Sequence, residues 1–418
     1  MSRGVMLGAV CVVGLNVVAA DWPQWRGLAG TGYIPTGEFV PEKLPAAPKT
    51  EWRFPLGDGY GSVAVAGGRV FVLDKGEGKE LLHAVDAKSG KELWKHALDE
   101  AYDDFQGKGP RSTPLVDGDR LYVQSCRGEL HCVNVASGAV IWRKNFVKDF
   151  GALFYGETKE FLANGASRHG NCGSPAIEGE NIIVQAGGTN GASVVCLKKK
   201  TGELVWKSQN DQSGYAGTVV TNIAGIRQAV VFTADGVIGL DIKDGKLLWR
   251  FPIQTKFARH ATTPVVVGDM VMVSSHEHGL FGIRVTKAGQ GMKAEQAWLN
   301  KQASINFASP VAVGTHVYGL GPAKNVFCAD VKTGAIAWSK DGFITGAAGK
   351  AHAGFLVGGQ SIFFLTDGGQ FIQIAADPKE CREISRTQVS GLTWNIPAYA
   401  DGKLYLRDAK NLLAVSLK

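Results

Sequence analysis

The stretch Cys328-Ala329-Asp330-Val331-Lys332-Thr333-Gly334-Ala335-Ile336-Ala337-Trp338 decides the fold, because the chain repeats its pattern. Trp94, Trp142, Trp206, Trp249 and Trp338 each have glycine four residues earlier, at Gly90, Gly138, Gly202, Gly245 and Gly334. Each has a small residue ten positions earlier, at Ala84, Cys132, Cys196, Gly239 and Cys328. Asp86, Asn134, Asp241 and Asp330 stand eight before the tryptophan, with Lys198 as the exception. Ser89, Ser137, Thr201, Asp244 and Thr333 directly precede the glycines. Such a unit is a β-hairpin: an apolar strand, a polar turn closed by glycine in a left-handed conformation, and a second strand carrying the tryptophan.

A second half-unit recurs. Pro114, Pro175, Pro264 and Pro310 each follow Ser or Thr, and Gly118, Gly179, Gly268 and Gly314 come four residues after them. Pro397 and Gly402 repeat this at a spacing of five. An apolar strand such as residues 120–123 comes next. The full unit is four short strands over roughly 40 to 50 residues, the pattern of a propeller blade. Proline suits the start of the first strand, because the innermost strand has a free edge toward the central channel. Inner strands starting at Ser62, Ser112, Ser174, Gly217, Thr262, Ala308, Ala353 and Ile396 predict an all-β fold, an eight-bladed β-propeller of four-stranded blades. The last blade has no tryptophan strand of its own, so residues 50–56, with Trp52, are expected to complete it and close the ring. Trp52, Trp94, Trp142, Trp206, Trp249, Trp298 and Trp338 are then expected in the core between blades. The pattern departs at Trp298, which has Ala294 in place of glycine, and in the seventh blade, where the segment around Ile384 has no tryptophan.

Composition agrees. Of 418 residues 55 are glycine, nearly twice the usual share, so turns are abundant, and neither disorder nor collagen fits. The net charge is 45 − 38 = +7, or +6 without Arg3, with no basic block suited to nucleic acid. Arg3 followed by the apolar residues 5–20, ending in Val18, Ala19 and Ala20, reads as a cleaved secretory signal peptide. The run is interrupted by Gly8, Gly14 and Asn16 and falls short of a bilayer span of about 20 residues. Val10 before Cys11 speaks against lipidation. The expected organisation is signal peptide 1–20, N-terminal arm 21–50 and propeller 51–418, soluble, exported to the periplasm or outside the cell, and monomeric. Six cysteines follow the signal, and their spacing matches no disulfide framework.

On these motifs the chain resembles the pyrroloquinoline-quinone-type (PQQ-like) repeat family, whose tryptophan-docking motif Ala-x-Asp-x-x-Thr-Gly-x-x-x-Trp is matched from Ala84 to Trp94 and from Cys328 to Trp338. The resemblance covers essentially all of residues 51–418. The opening Asp21-Trp22-Pro23-Gln24-Trp25-Arg26-Gly27 is similar to exported, single-domain, BamB-like propellers. The resemblance implies an eight-bladed propeller in a family holding both quinoprotein dehydrogenases and propellers that bind no quinone. In the dehydrogenases the quinone lies over the channel mouth with Ca²⁺, held by carboxylate and amide oxygens. Such chains tend to be longer and often have adjacent cysteines, which this chain does not.

Connections that enter the inner strands emerge on one face and ring the channel mouth, where a propeller would bind a ligand. They carry Tyr60, Arg111, Arg168, His169, Asn171, Tyr215, Arg259, His260, Asn306, Lys350, His352, Trp394 and Asn395. Only Asp58 and Asp211 bring acid nearby, so the mouth is expected to be basic and to favour an anion over a divalent cation. Arg168-His169 recurs as Arg259-His260, as two anion contacts or a relic of the repeat. His276-Glu277-His278, if a strand, would project both imidazoles from one face as a metal edge without an evident third ligand. Cys126 and Cys172 should lie near the mouth, as a disulfide or as two thiols. The longest excursion, residues 144–171, holds Phe146, Phe150, Phe154, Tyr155 and Phe161, as a lid, a docking surface or a loop on its own small core. G-x-S-x-G and P-loop motifs are absent. The sequence favours a non-catalytic binding or scaffold module in the cell envelope with no cofactor, its partner an envelope protein or an anionic small molecule or glycan. The alternative is a PQQ-dependent oxidoreductase with Ca²⁺, acting on an alcohol or sugar.

Overall fold

The computed structural model describes residues 21–104, 106–153, 168–276, 278–289, 291–346 and 351–418; the signal segment 1–20 lies outside them. Among the described residues antiparallel strands form eight four-stranded sheets and one two-stranded ribbon. Middle strands such as Ser361–Thr366 are buried throughout, which suits their β-branched and aromatic run. Outer strands such as Leu204–Ser208 alternate, one face on the next blade and one in water. Blades are numbered here by their inner strands: Ala64–Ala66, Leu115–Asp117, Ala176–Glu178, Val219–Ile223, Val265–Val267, Val311–Val313, Ala353–Gly358 and Ala398–Ala400. The ring closes where Lys49–Pro55 pairs with Asn411–Ser416 as the outer strand of blade 8, Trp52 opposite Ala414. No described helix is long and apolar enough to cross a membrane.

One contact explains the repeated glycine. Gly90, Gly138, Gly202, Gly245 and Gly334 hold φ between 70° and 74°, and a Cβ on each would fall 2.5–2.8 Å from the indole of the preceding blade, Trp52, Trp94, Trp142, Trp206 and Trp298 respectively. Only glycine serves both demands. The indole Nε1 of each of these tryptophans donates to a backbone carbonyl of the next blade, Ala87, Val135, Lys199, Ile242 and Val331, at 2.9–3.0 Å. Trp338 does the same to Asp377 at 2.8 Å. Trp249 differs, donating within its own blade to Gln228 Oε1.

In blade 7, Ser385 stands opposite Gln373 where other blades pair tryptophan with a small residue. The N-terminal arm fills that seam. The backbone N–H of Leu44 donates to Ser385 Oγ, and Gln373 Nε2 donates to the carbonyls of Pro41 and Glu42.

Further upstream, residues 21–35 lie in the central channel. Trp22 bridges to Val65 of blade 1, Val116 N donates to Pro23 O, and Trp25 Nε1 donates to Thr263 Oγ1 of blade 5 at 2.8 Å. Arg26, 2% exposed, donates to Pro310 O of blade 6, and Tyr33 bridges to Val357 of blade 7. Burial pulls the Arg26 guanidinium down to about 10. These contacts reach blades 1, 2, 5, 6 and 7, and the arm stops the channel from one end.

Candidate functional site

At the other end, where the chain enters the inner strands, all eight blades contribute to a cavity of about 270 Å³ on the propeller axis. Tyr60 (blade 1), Arg111 (blade 2), His169 (blade 3), Tyr215 (blade 4), Arg259 (blade 5), Asn306 (blade 6), His352 (blade 7) and Trp394 (blade 8) line it, all from the predicted set. Trp25, the deepest part of the arm, joins them, as do Gln106, Thr113, Ser174, Thr263 and Phe307. Thr113, Ser174 and Thr263 immediately precede Pro114, Pro175 and Pro264, so the repeated Ser/Thr-Pro step carried a signal for them. Trp25 carried none, because the arm has no repeat.

One wall is aromatic. Tyr60 and Trp394 stack at 5.5 Å and 18°, Phe307 meets Trp394 edge-on, and Phe307 stacks on His352 at 5.7 Å and 15°. Burial pushes His352 down to about 3, so its ring is neutral. Its Nδ1 and the Thr113 hydroxyl are buried without a hydrogen-bond partner.

The opposite wall is less basic than the sequence predicts, because an acid behind it pairs with two of its members. Asp103–Asp104 pairs with Gly107–Lys108 in a small ribbon, which brings Asp104 behind the wall. There its carboxylate, with a side chain 1% exposed, pairs with Arg111 at 3.0 Å and with His169 Nδ1 at 2.9 Å. Burial alone would raise Asp104, but the His169 hydrogen bond and the Arg111 charge overcome it and hold the acid below its usual range. Arg111 also lies over the Tyr60 ring at 5.1 Å. Burial lowers His169 despite Asp104. Arg259 is the cation left at the wall among the described residues, with an aromatic contact to Phe257 at 5.4 Å and no carboxylate partner.

Other predicted members sit behind the wall. His260 is fully buried, stacked on Phe232 at 4.3 Å with Nδ1 2.6 Å from the Thr233 carbonyl, and burial pushes it down to about 4. Arg168 is 3% exposed, against Phe257 at 4.5 Å, so the Arg168-His169 and Arg259-His260 pairs are not equivalent: the second residue faces the cavity in one and the first in the other. Asn171 Nδ2 donates to Cys126 O. Asn395 is buried against the Arg407 carbonyl or, with its amide turned, those of Tyr60 and Gly61. Lys350 lies outside the described residues.

The remaining sequence candidates resolve as follows. Cys126 and Cys172 are both free thiols. Cys172 reaches the cavity, its Sγ directed at the backbone carbonyls of His169 and Gly170, and burial pushes its thiol up to about 12. Behind it Glu80 is fully buried, and burial pushes its carboxyl up to about 7 although both oxygens accept from Cys126 N. His276 and His278 occupy the turn between Met270–Ser275 and Gly279–Ala288, so they do not share a strand face; Glu277 lies outside the described residues. In the long excursion, Phe146 and Phe150 form a short helix packed on the blade cores with Ile182 and Val184. Phe154, Tyr155 and Phe161 lie outside the described residues. Among the described residues no group of three or more His, Cys, Asp or Glu side chains is placed to hold a metal.

Comparison with known proteins follows the architecture. The chain is 22% identical over 409 residues, covering 91% of itself and 92% of the relative, to the outer membrane protein assembly factor BamB of Shewanella oneidensis. The crystal structure of BamB from Moraxella catarrhalis superposes with a TM-score of 0.56 at 15% identity, over 88% of this chain and 97% of that one. Quinohemoprotein alcohol dehydrogenase from Comamonas testosteroni gives 0.66 at 13%, over 95% of this chain and 80% of that one. Both likenesses show the propeller fold. A family model described as outer membrane protein assembly factor BamB matches residues 45–104 and 78–340, and with its tryptophan–glycine seams and ring closure the chain belongs to that PQQ-repeat propeller family.

Proposed function

We propose that this chain is a non-catalytic binding propeller, exported to the cell envelope, that serves outer-membrane protein assembly and receives an anionic group of its partner in the axial cavity. The observation that carries the reading is the cavity wall: aromatic faces on one side, and on the other Arg259 without a carboxylate partner. No aspartate or glutamate is among the described lining residues. Low-dielectric walls focus the field of a lone guanidinium toward an entering carboxylate. The same wall speaks against the alternative of PQQ with Ca²⁺. Calcium takes six to eight oxygen ligands, carboxylates foremost, and Asp104 is already committed to Arg111 and His169. The residues present do not fit that pair of cofactors.

Binding of benzoate and galacturonate, followed by indole fluorescence, tests the cavity. Salt-sensitive binding by the wild type and its loss in Arg259→Ala, with the melting temperature unchanged, are expected. No binding, or equal binding by the variant, would retire the anion site. Arg111→Ala is expected to destabilise instead, since it strands Asp104. The assembly role is tested in the native host: removing the chain should lower the level of folded outer-membrane barrels, and unchanged levels refute it.

A further inference from the structure

Two residues past the seam tryptophan, an outer strand meets the next blade with a second side chain, and at several seams this is a ring pair. Phe54 of blade 8 meets His83 of blade 1 edge-on at 5.5 Å, and Phe251 of blade 4 meets Phe281 of blade 5 at 6.3 Å. The seam between blades 1 and 2 carries imidazoles on both sides. His96 follows Trp94 on the outer strand Glu92–Glu100, His131 lies on Glu129–Asn134, and their centroids are 5.3 Å apart.

The rings meet nitrogen to nitrogen in a hydrogen bond, His96 Nε2 and His131 Nδ1 being 3.0 Å apart, and a metal bound between them would displace the shared proton. Two nitrogens bound at about 2.0–2.1 Å stand about 3.3 Å apart around a tetrahedral ion and about 2.9 Å apart as cis ligands in a square plane. The observed separation falls between the two. On the far side of His131, Nε2 is 3.3 Å from Glu129 Oε2, whose other oxygen accepts from Asn145 Nδ2 at 2.8 Å. A carboxylate on the outer nitrogen leaves the inner one as a lone pair, the arrangement that usually backs a metal-bound histidine. His131 is 5% exposed while His96 is half-buried, which leaves a way in.

The geometry points to a transition-metal site across the blade 1–2 seam, with His96 Nε2 and His131 Nδ1 as its protein ligands, water completing the coordination, and Glu129 orienting His131. Two imidazoles favour Cu²⁺ over Zn²⁺. The site is independent of the axial cavity and needs none of its residues.

Untagged protein titrated with Cu²⁺ should bind one ion per chain with an electron paramagnetic resonance spectrum showing two nitrogen couplings. Zn²⁺ should raise its melting temperature, as a ligand of the folded state does. The double variant His96→Phe with His131→Phe, which installs the Phe–Phe pair of the blade 4–5 seam, should lose both effects. Glu129→Gln should weaken Cu²⁺ binding by about tenfold or more. Sub-stoichiometric binding by the wild type, a one-nitrogen spectrum, or an unchanged affinity in the double variant would overturn the assignment. The wild-type spectrum decides even if the double variant fails to fold.

Discussion

Replacing Trp206 with alanine removes an indole that is 7% exposed and wedged between blades 3 and 4. The ring shares a core cluster with Ile183, Cys196, Ala229, Val231, Ile238 and Leu240, lies on Gly245, and donates to the Ile242 carbonyl at 3.0 Å. Truncations of this size in a close-packed core cost about 3–5 kcal/mol, because the backbone of two blades cannot collapse into the void. About 1 kcal/mol of that is the hydrogen bond. Trp206→Phe should keep most of the packing and lose chiefly that bond, so a cost of about 1–2 kcal/mol is expected. Urea unfolding followed by circular dichroism gives the totals, and hydrogen exchange should show the loss first in blades 3 and 4, as nearest-neighbour coupling requires. A cost below about 1 kcal/mol for alanine, or exchange rising first in distant blades, would refute the assignment of Trp206 to the seam.

Deleting residues 1–56 removes both the channel-filling arm and the outer strand of blade 8, leaving Asn411–Ser416 as an open edge. The product should aggregate, and a monomer with unchanged melting temperature would disprove closure. His83 lies between Asp74 Oδ1 at 2.9 Å and Glu92 Oε1 at 2.6 Å. Burial opposes its charge, but the two carboxylates outweigh it and raise its pKa. The charged ring therefore stabilises fully below the unfolded value of about 6.5, and the contribution is lost as pH rises through the raised folded value. His83→Gln should cost most in mildly acidic solution and least in alkaline solution. A cost that grows with pH would refute the ion pair.

The ring of blades was legible because glycine and tryptophan meet across every regular seam at one geometry, and so must recur at one spacing. Trp52 could be placed in blade 8 because the last blade had no tryptophan strand of its own and the strand around Trp52 had no blade. The eight predicted cavity residues were legible from their place just before an inner strand. What escaped has no period. Asp104 reaches Arg111 from the ribbon in which Asp103–Asp104 pairs with Gly107–Lys108, and pairing of that kind leaves no trace in the blade repeat. His260 follows Arg259 directly and was read as its companion, yet stacking on Phe232 takes it out of the mouth. The missing tryptophan of blade 7 was visible as a gap, while its substitute, the arm from Pro41 to Leu44, lies more than 300 residues away in the chain.

The path of the arm also fixes which way the molecule faces. Asp21 accepts from Gly67 N, in the turn where the inner strand of blade 1 has already run away from the cavity, and only Trp25 reaches up to the cavity floor. The described arm therefore begins, at Asp21, at the end of the propeller opposite the aromatic wall. A chain held by its N-terminal side, on a sensor chip or at a surface in the cell, would turn the cavity outward, toward whatever approaches from solution. Attachment at that terminus leaves the binding face clear, whereas a bulky group joined to the connections around Tyr60 or Trp394 would cover it.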